Sequence, residues 1–201
     1  MTHRKKITSQ SGFMSVEAIA TSLFYLIMVA IVTGIAAQVI SSGKMAASLN
    51  AASILRVSVQ YIGANCNSDY SSVTTLNPHE YVSIIKQAPD DDTDYTLPTT
   101  HPIRIGTAGV KDINPDTQTQ MTTASTSFFT MEIADLSPSD CRKVAYYGLG
   151  AGYGVTLADG TGGRATGTFT LGAATTPITI ADVEDNCGSG NIVKVIHLTS
   201  K

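Results

Sequence analysis

The sequence predicts an α+β fold, in which a long N-terminal helix lays its C-terminal half on an antiparallel β-sheet head. Three observations lead there. Residues 18–43 carry no charge, and residues 18–40 are mostly Ala, Ile, Leu, Val, Met, Phe and Tyr. The pattern then turns amphipathic at helical spacing as far as Ile62. Beyond Gly63, short runs with strand character are interleaved with two capped helix signals.

The first element begins behind a basic stretch, Arg4, Lys5 and Lys6. About 20 apolar residues suffice to span a bilayer as a helix, and the basic residues orient that end toward the cytoplasm. Glu17 is the exception, a single carboxylate at the mouth of the apolar run. From Ser41 to Ile62 the apolar residues Met45, Leu49, Ala52, Leu55, Val59 and Ile62 recur at spacings of four, three, three, four and three. They form one stripe. Ile54, Val57 and Tyr61 are expected to widen it, with Lys44, Asn50, Arg56 and Gln60 on the other side. The long helix is expected within residues 13–62, and from about Ser15 to Ile62 it would be about 70 Å long at the α-helical rise. The alternative is two helices, broken near Gly34 or at Ser41-Ser42-Gly43.

The remaining residues, 63–201, read as one globular α+β head. Strands are expected at Tyr81–Ile85 and Ile103–Gly106, within a stretch rich in Thr, Asn, Asp and Pro. Further strand signals lie at Phe128–Ile133, Tyr153–Leu157, Ala165–Leu171 and Asn191–Thr199. Ser137 is placed to cap a helix, with Pro138 in its first turn and Asp140 at its positive end, running to Tyr147 and stopped by Gly148 and Gly150. A second short helix, Ile180–Asn186, has Thr179 as its cap. The amphipathic half of the long helix needs a cover, and an antiparallel sheet built from these strands supplies one.

Composition narrows the function classes. The net charge is −3, and three units more negative without Arg4, Lys5 and Lys6. A nucleic-acid-binding protein would cluster Lys and Arg on one face; none is expected to bind here. His3, His79, His101 and His197 are scattered and belong to no catalytic motif. Asp90-Asp91-Asp92-Thr93-Asp94 opens like a calcium loop, but Tyr95 and His101 stand where an EF-hand needs Gly and Glu. A solvated acidic loop is the expectation. Gly160-Thr161-Gly162-Gly163 is read as a turn, because no helix start follows to cradle a phosphate. No catalytic residue, metal site or cofactor is assigned.

Three readings compete for the N-terminus. A secretory signal peptide cut near Gly34-Ile35-Ala36 would have a shorter apolar core and no acid at its start. A plain signal anchor, carrying a periplasmic binding domain that does not polymerise, gives no role to Gly12. The third reading rests on the residues Gly12-Phe13-Met14-Ser15-Val16-Glu17 behind the basic leader. This segment resembles the processing site of type IV pilins and the related pseudopilins. The resemblance implies removal of residues 1–12 by a prepilin peptidase, which cuts after Gly12 and N-methylates Phe13. It also implies that Glu17 is the assembly glutamate, pairing with the Phe13 N-terminus of a neighbouring subunit. Gly34 sits where many type IV pilins carry a helix-kinking proline.

Three cysteines, Cys66, Cys141 and Cys187, allow three single pairings. Type IV pilins carry a disulfide-bounded C-terminal region, which implies Cys141–Cys187. That bridge would close a loop of about 45 residues and contribute roughly 4 kcal/mol in the chain-entropy model. Cys66 is then left as a buried free thiol, an intermolecular bridge, or the true partner of one of the others. The run Cys141…Gly152-Tyr153-Gly154-Val155…Thr179-Ile180-Ala181…Cys187 before a final strand is most similar to the type IVb subclass, including bundle-forming pilins. Phe13 as first mature residue and the short leader are more typical of type IVa. The implied function is a structural subunit, a major pilin, polymerising through its apolar helix for adhesion, aggregation or conjugative contact. A minor pilin or a type II secretion pseudopilin shares the motif. The implied partners are other copies of the chain, the prepilin peptidase, an assembly ATPase with its inner-membrane platform, and an outer-membrane secretin. The implied location is the inner membrane, head in the periplasm, before assembly and an extracellular filament afterwards.

Overall fold

The computed structural model describes residues 16–88, 91–110, 112–161, 164–169, 179–188 and 194–201; the side chains of 16–40, 88, 91–94, 159–161 and 164–169 fall outside that description. The chain divides into two units, Met1–Ser42 and Gly43–Lys201. Helix α1 is Val16–Asn65.

The second unit is α+β, and its strands pair antiparallel throughout. Seven strands lie among the described residues: β1 Lys86–Ala88, β2 Asp91–Thr96, β3 Pro102–Ala108, β4 Ser125–Leu136, β5 Gly154–Thr161, β6 Arg164–Phe169 and β7 Lys194–Ser200. Their order in the sheet is β1-β2-β3-β4-β7-β5-β6. The last strand of the chain is therefore inserted between β4 and β5. Helix α2 is the single turn Pro78–Tyr81, α3 is Pro138–Gly150 and α4 is Ile180–Cys187.

One face of the sheet carries the core. Ile103, Phe129, Met131, Ile133, Val155, Leu157, Ile196 and Leu198 meet Met45, Ala51, Ala52, Leu55 and Val59 of α1. Side chains alternate across a strand, so the residues between them face the other way. The buried stripe of α1 is narrower than its sequence suggests. Ile54, Val57 and Tyr61 are 43%, 61% and 72% exposed. Each helical residue turns about 100° from the last, which carries these three round the flank from Leu55. Arg56, expected among the solvated residues, instead lies over the Tyr153 ring, 4.3 Å from its centroid, and donates to the Ala151 carbonyl at 2.7 Å.

Four further differences from the sequence reading have local causes. Tyr81–Ile85 is not a strand. Asn77 accepts from the His79 amide and Pro78 sits in the first turn, which starts α2 instead; Val82 and Ile85 are buried by the turn that follows. The acidic stretch, expected as a loop, is strand β2 over Asp91–Thr96 and pairs with β1 and β3; Asp90 lies outside the described residues. Here the neighbouring strands override the low β-propensity of Asp. Helix α3 runs past Tyr147 to Gly150. Gly148 belongs to the helix because it lies close on the sheet: a Cβ there would come 2.6 Å from Leu198 and 2.8 Å from Val155. Gly160 and Thr161, expected in a turn, are the last residues of β5, and Thr161 pairs with Arg164; Gly162 and Gly163 lie outside the described residues. The expected strand ends at 170–171 and 191–193 are outside them too.

The caps agree with the sequence. Ser137 accepts from the Asp140 amide, and Thr179 forms a reciprocal capping box with Asp182.

Candidate functional site

Of the residues singled out in the sequence, Gly12 and Phe13 lie outside the described residues. Glu17 is on the first turn of α1, with its side chain outside the description. Among residues described with their side chains, no helix is long and apolar enough to cross a membrane; the apolar run 18–40 is not one of those stretches.

Cys141 and Cys187 are joined in a disulfide, with Cα atoms 5.7 Å apart and both residues buried. It pins the first turn of α3 to the last residue of α4. The same pair of helices is tied outside the bridge. Arg142 Nε donates to Glu184 Oε2 at 2.7 Å, and Arg142 Nη2 donates to the Gly188 carbonyl at 2.7 Å. The Tyr146 hydroxyl donates to Glu184 Oε1. That hydrogen bond raises the Tyr146 phenol and lowers the Glu184 carboxyl from their ordinary values. Cys66 is free and exposed, so it is neither a buried thiol nor the partner of the other two.

The sequence reading missed a buried polar cluster in the head. Register sets Arg104 of β3 opposite Glu132 of β4, Glu132 opposite His197 of β7, and His197 opposite Thr156 of β5. This row crosses the sheet on the face turned away from the core. The connection between β3 and β4 reaches over it and sets Asp112 against His197. His197 Nδ1 is 2.8 Å from Asp112 Oδ1, and its Nε2 is 3.0 Å from Glu132 Oε2. Asp112 Oδ2 also accepts from the Gly109 amide at 2.7 Å and from the Thr130 hydroxyl at 3.3 Å. Burial opposes a charge on the imidazole, but hydrogen bonds to Asp112 and Glu132, and then their negative charges, outweigh it. The His197 pKa is pushed up to about 9. His197 is therefore a cation between two carboxylates at neutral pH, with both ring nitrogens engaged and no lone pair to offer a metal or a substrate.

The partners stand 85 and 65 residues from His197 in the chain, so no local motif marks them. The one sequence signal was the place of His197 between Ile196 and Leu198, which puts it on the face away from the core. His101 and His79 lie apart from this cluster. His101 Nε2 is 3.7 Å from Asp140 Oδ2, and burial lowers its pKa despite that neighbour. His79 Nδ1 contacts the Ile85 carbonyl at 2.6 Å, and His3 is outside the described residues. No group of three or more His, Cys, Asp or Glu among the described residues is arranged to hold a metal.

A scan of protein-family models finds no match to the chain, and a search of curated proteins returns no relative.

Proposed function

We propose that this chain is a structural subunit of a type IV pilus, most similar to the type IVb subclass, that polymerises through its apolar N-terminal helix. One observation carries the reading: the order of chemical groups at the start of the sequence. A basic leader, Gly12, an apolar Phe13 and the lone acid Glu17 precede a run without charge to Gly43. Cleavage after Gly12 creates an ammonium on Phe13, four residues before the Glu17 carboxylate. Charges held in an apolar environment are costly and are normally paired. Leaving one partner buried alone costs on the order of 3–5 kcal/mol. Glu17 of an incoming subunit therefore seeks the Phe13 ammonium of one already in place, and the pairing sets the axial register. The helical assignment from Val16 to Asn65, the antiparallel head and the C-terminal disulfide are all consistent with such a subunit.

Intact-mass analysis and N-terminal sequencing of the protein from its native host test this reading. The expected product begins at methylated Phe13. An intact Met1 end, or cleavage after Ala36, would overturn it. Glu17→Ala is expected to abolish filaments seen by electron microscopy while cleavage after Gly12 continues. Unchanged assembly in that variant would refute the pairing. The abundance of the chain in shed filaments separates a major from a minor subunit.

A further inference from the structure

Between β3 and β4 the segment Asp112–Met121 crosses the outer face of the sheet instead of turning directly. It folds into a small hairpin of its own, with an Ile113–Gln120 bridge and the Asn114 amide donating to the Thr119 carbonyl at 2.9 Å. The Met121 amide closes the hairpin base on the Asp112 carbonyl at 2.8 Å. Asp112, Ile113 and Met121 are buried. Asp112 Oδ2 accepts from the Thr130 hydroxyl of β4 at 3.3 Å, and Gln118 Nε2 donates to the Tyr153 carbonyl just before β5 at 3.4 Å. The Ile113 amide donates to the Thr156 hydroxyl at 3.1 Å, and the Ile113 carbonyl lies so close to Gly154 that a Cβ there would collide with it. At the far end Lys201 Nζ pairs with Asp116 Oδ2 at 3.2 Å, an exposed contact. The Asp112–His197 pair is the buried ionic attachment.

We propose that Asp112–Met121 is a strap clasped to the sheet by protonated His197, and that it lifts when His197 gives up its proton while the sheet itself stays folded. Around the imidazole stand Asp112 from the strap, Glu132 from β4, Arg104 from β3 and the neutral Thr156 from β5. The protonated ring donates to both carboxylates at once. A neutral ring has one N–H, so one carboxylate must face a bare nitrogen lone pair. Asp112 is almost wholly buried, and a buried carboxylate that loses its cation is strongly destabilised. Glu132 stands in the rigid β4 strand opposite Arg104, whereas Asp112 is on the strap, outside the strands, so the strap is the part that yields. A cavity of about 270 Å³, lined by Arg104, Thr107, Val110, Asp112, Glu132 and His197, admits water to the clasp.

The direction with pH follows from the raised pKa. The contribution of the clasp is complete below the ordinary histidine value of 6.5 and is lost as pH rises through about 9. Residue-resolved amide exchange on the full chain in detergent, from pH 7 to 10, tests the proposal. Protection factors of the Ile113 and Met121 amides are expected to fall by about tenfold or more near pH 9 while the β4 and β7 amides keep theirs. The His197 ring carbons should titrate with the same midpoint. His197→Gln should show low strap protection at every pH, and Asp112→Asn should move the imidazole midpoint downward. Strap protection that persists to pH 10, strap and sheet opening together, or a His197 midpoint near 6.5 would each overturn the strap. Should either variant fail to fold, the wild-type titration alone decides whether the strap lifts.

Discussion

At the scale of single residues, the head depends on positions where an atom is missing as much as on positions where one is present. Gly148 lies inside α3, where Ala would be the better helix former by about 1 kcal/mol. The added methyl would meet Val155 and Leu198, both fully buried. Val155 is β-branched and stiff at χ1, so the crowding is not relieved by a simple rotation. Overpacking of this kind costs about 1–3 kcal/mol, more than the helix gains. Gly148→Ala is therefore expected to lower the urea midpoint of unfolding, without loss of helical signal. An unchanged or higher midpoint would refute the close packing of α3 on the sheet. Gly148 looked in the sequence like a helix stop, because a glycine that ends a helix and one that lets a sheet approach are the same letter. Packing decides between them.

At the scale of elements, the disulfide closes a loop spanning 46 positions and containing β5, the neighbour of the last strand. Its loss acts on β5, and through it on β7, as well as on α4. Removing such a bridge costs about 2–5 kcal/mol. Cys141→Ser with Cys187→Ser should therefore lower the thermal midpoint, and exchange should quicken in α4 before β4. If α4 kept its protection, Arg142 and Tyr146 with Glu184 would suffice to hold it. Helix caps were readable in the sequence because they are local: Ser137, Thr179 and their partners lie within one turn. Strand β2 was not, because its Asp-rich stretch has little strand preference of its own and is paired by β1 and β3. The exposed Ile54, Val57 and Tyr61 show the same limit on α1. Periodicity marks an apolar stripe, but the width of that stripe depends on what the sheet covers.

At the scale of the whole molecule, Gly43–Lys201 has its own core, which begins at Met45. A fragment of residues 43–201 is expected to fold with the Cys141–Cys187 bridge, to unfold in one cooperative transition and to form no filaments. Circular dichroism and electron microscopy check both halves of that statement. A fragment without cooperative unfolding would mean that the head needs residues before Gly43. Assembly by the fragment would overturn the role proposed for the apolar run.

Local pattern was enough for the α+β class, the amphipathic half of α1, helices α3 and α4 with their caps, and five of the strands, β3 to β7. The observation that carries the pilin reading is in the sequence too, since Gly12, Phe13 and Glu17 lie within six residues and their meaning is chemical, not geometric. That the last strand lies between β4 and β5 is visible in three dimensions alone. The folded head also shows Cys66 exposed, Arg56 resting on Tyr153, and His197 between Asp112 and Glu132. The strand insertion and the Arg56 and His197 contacts join residues far apart in the chain, and their meeting depends on strand order and register, which no local pattern encodes.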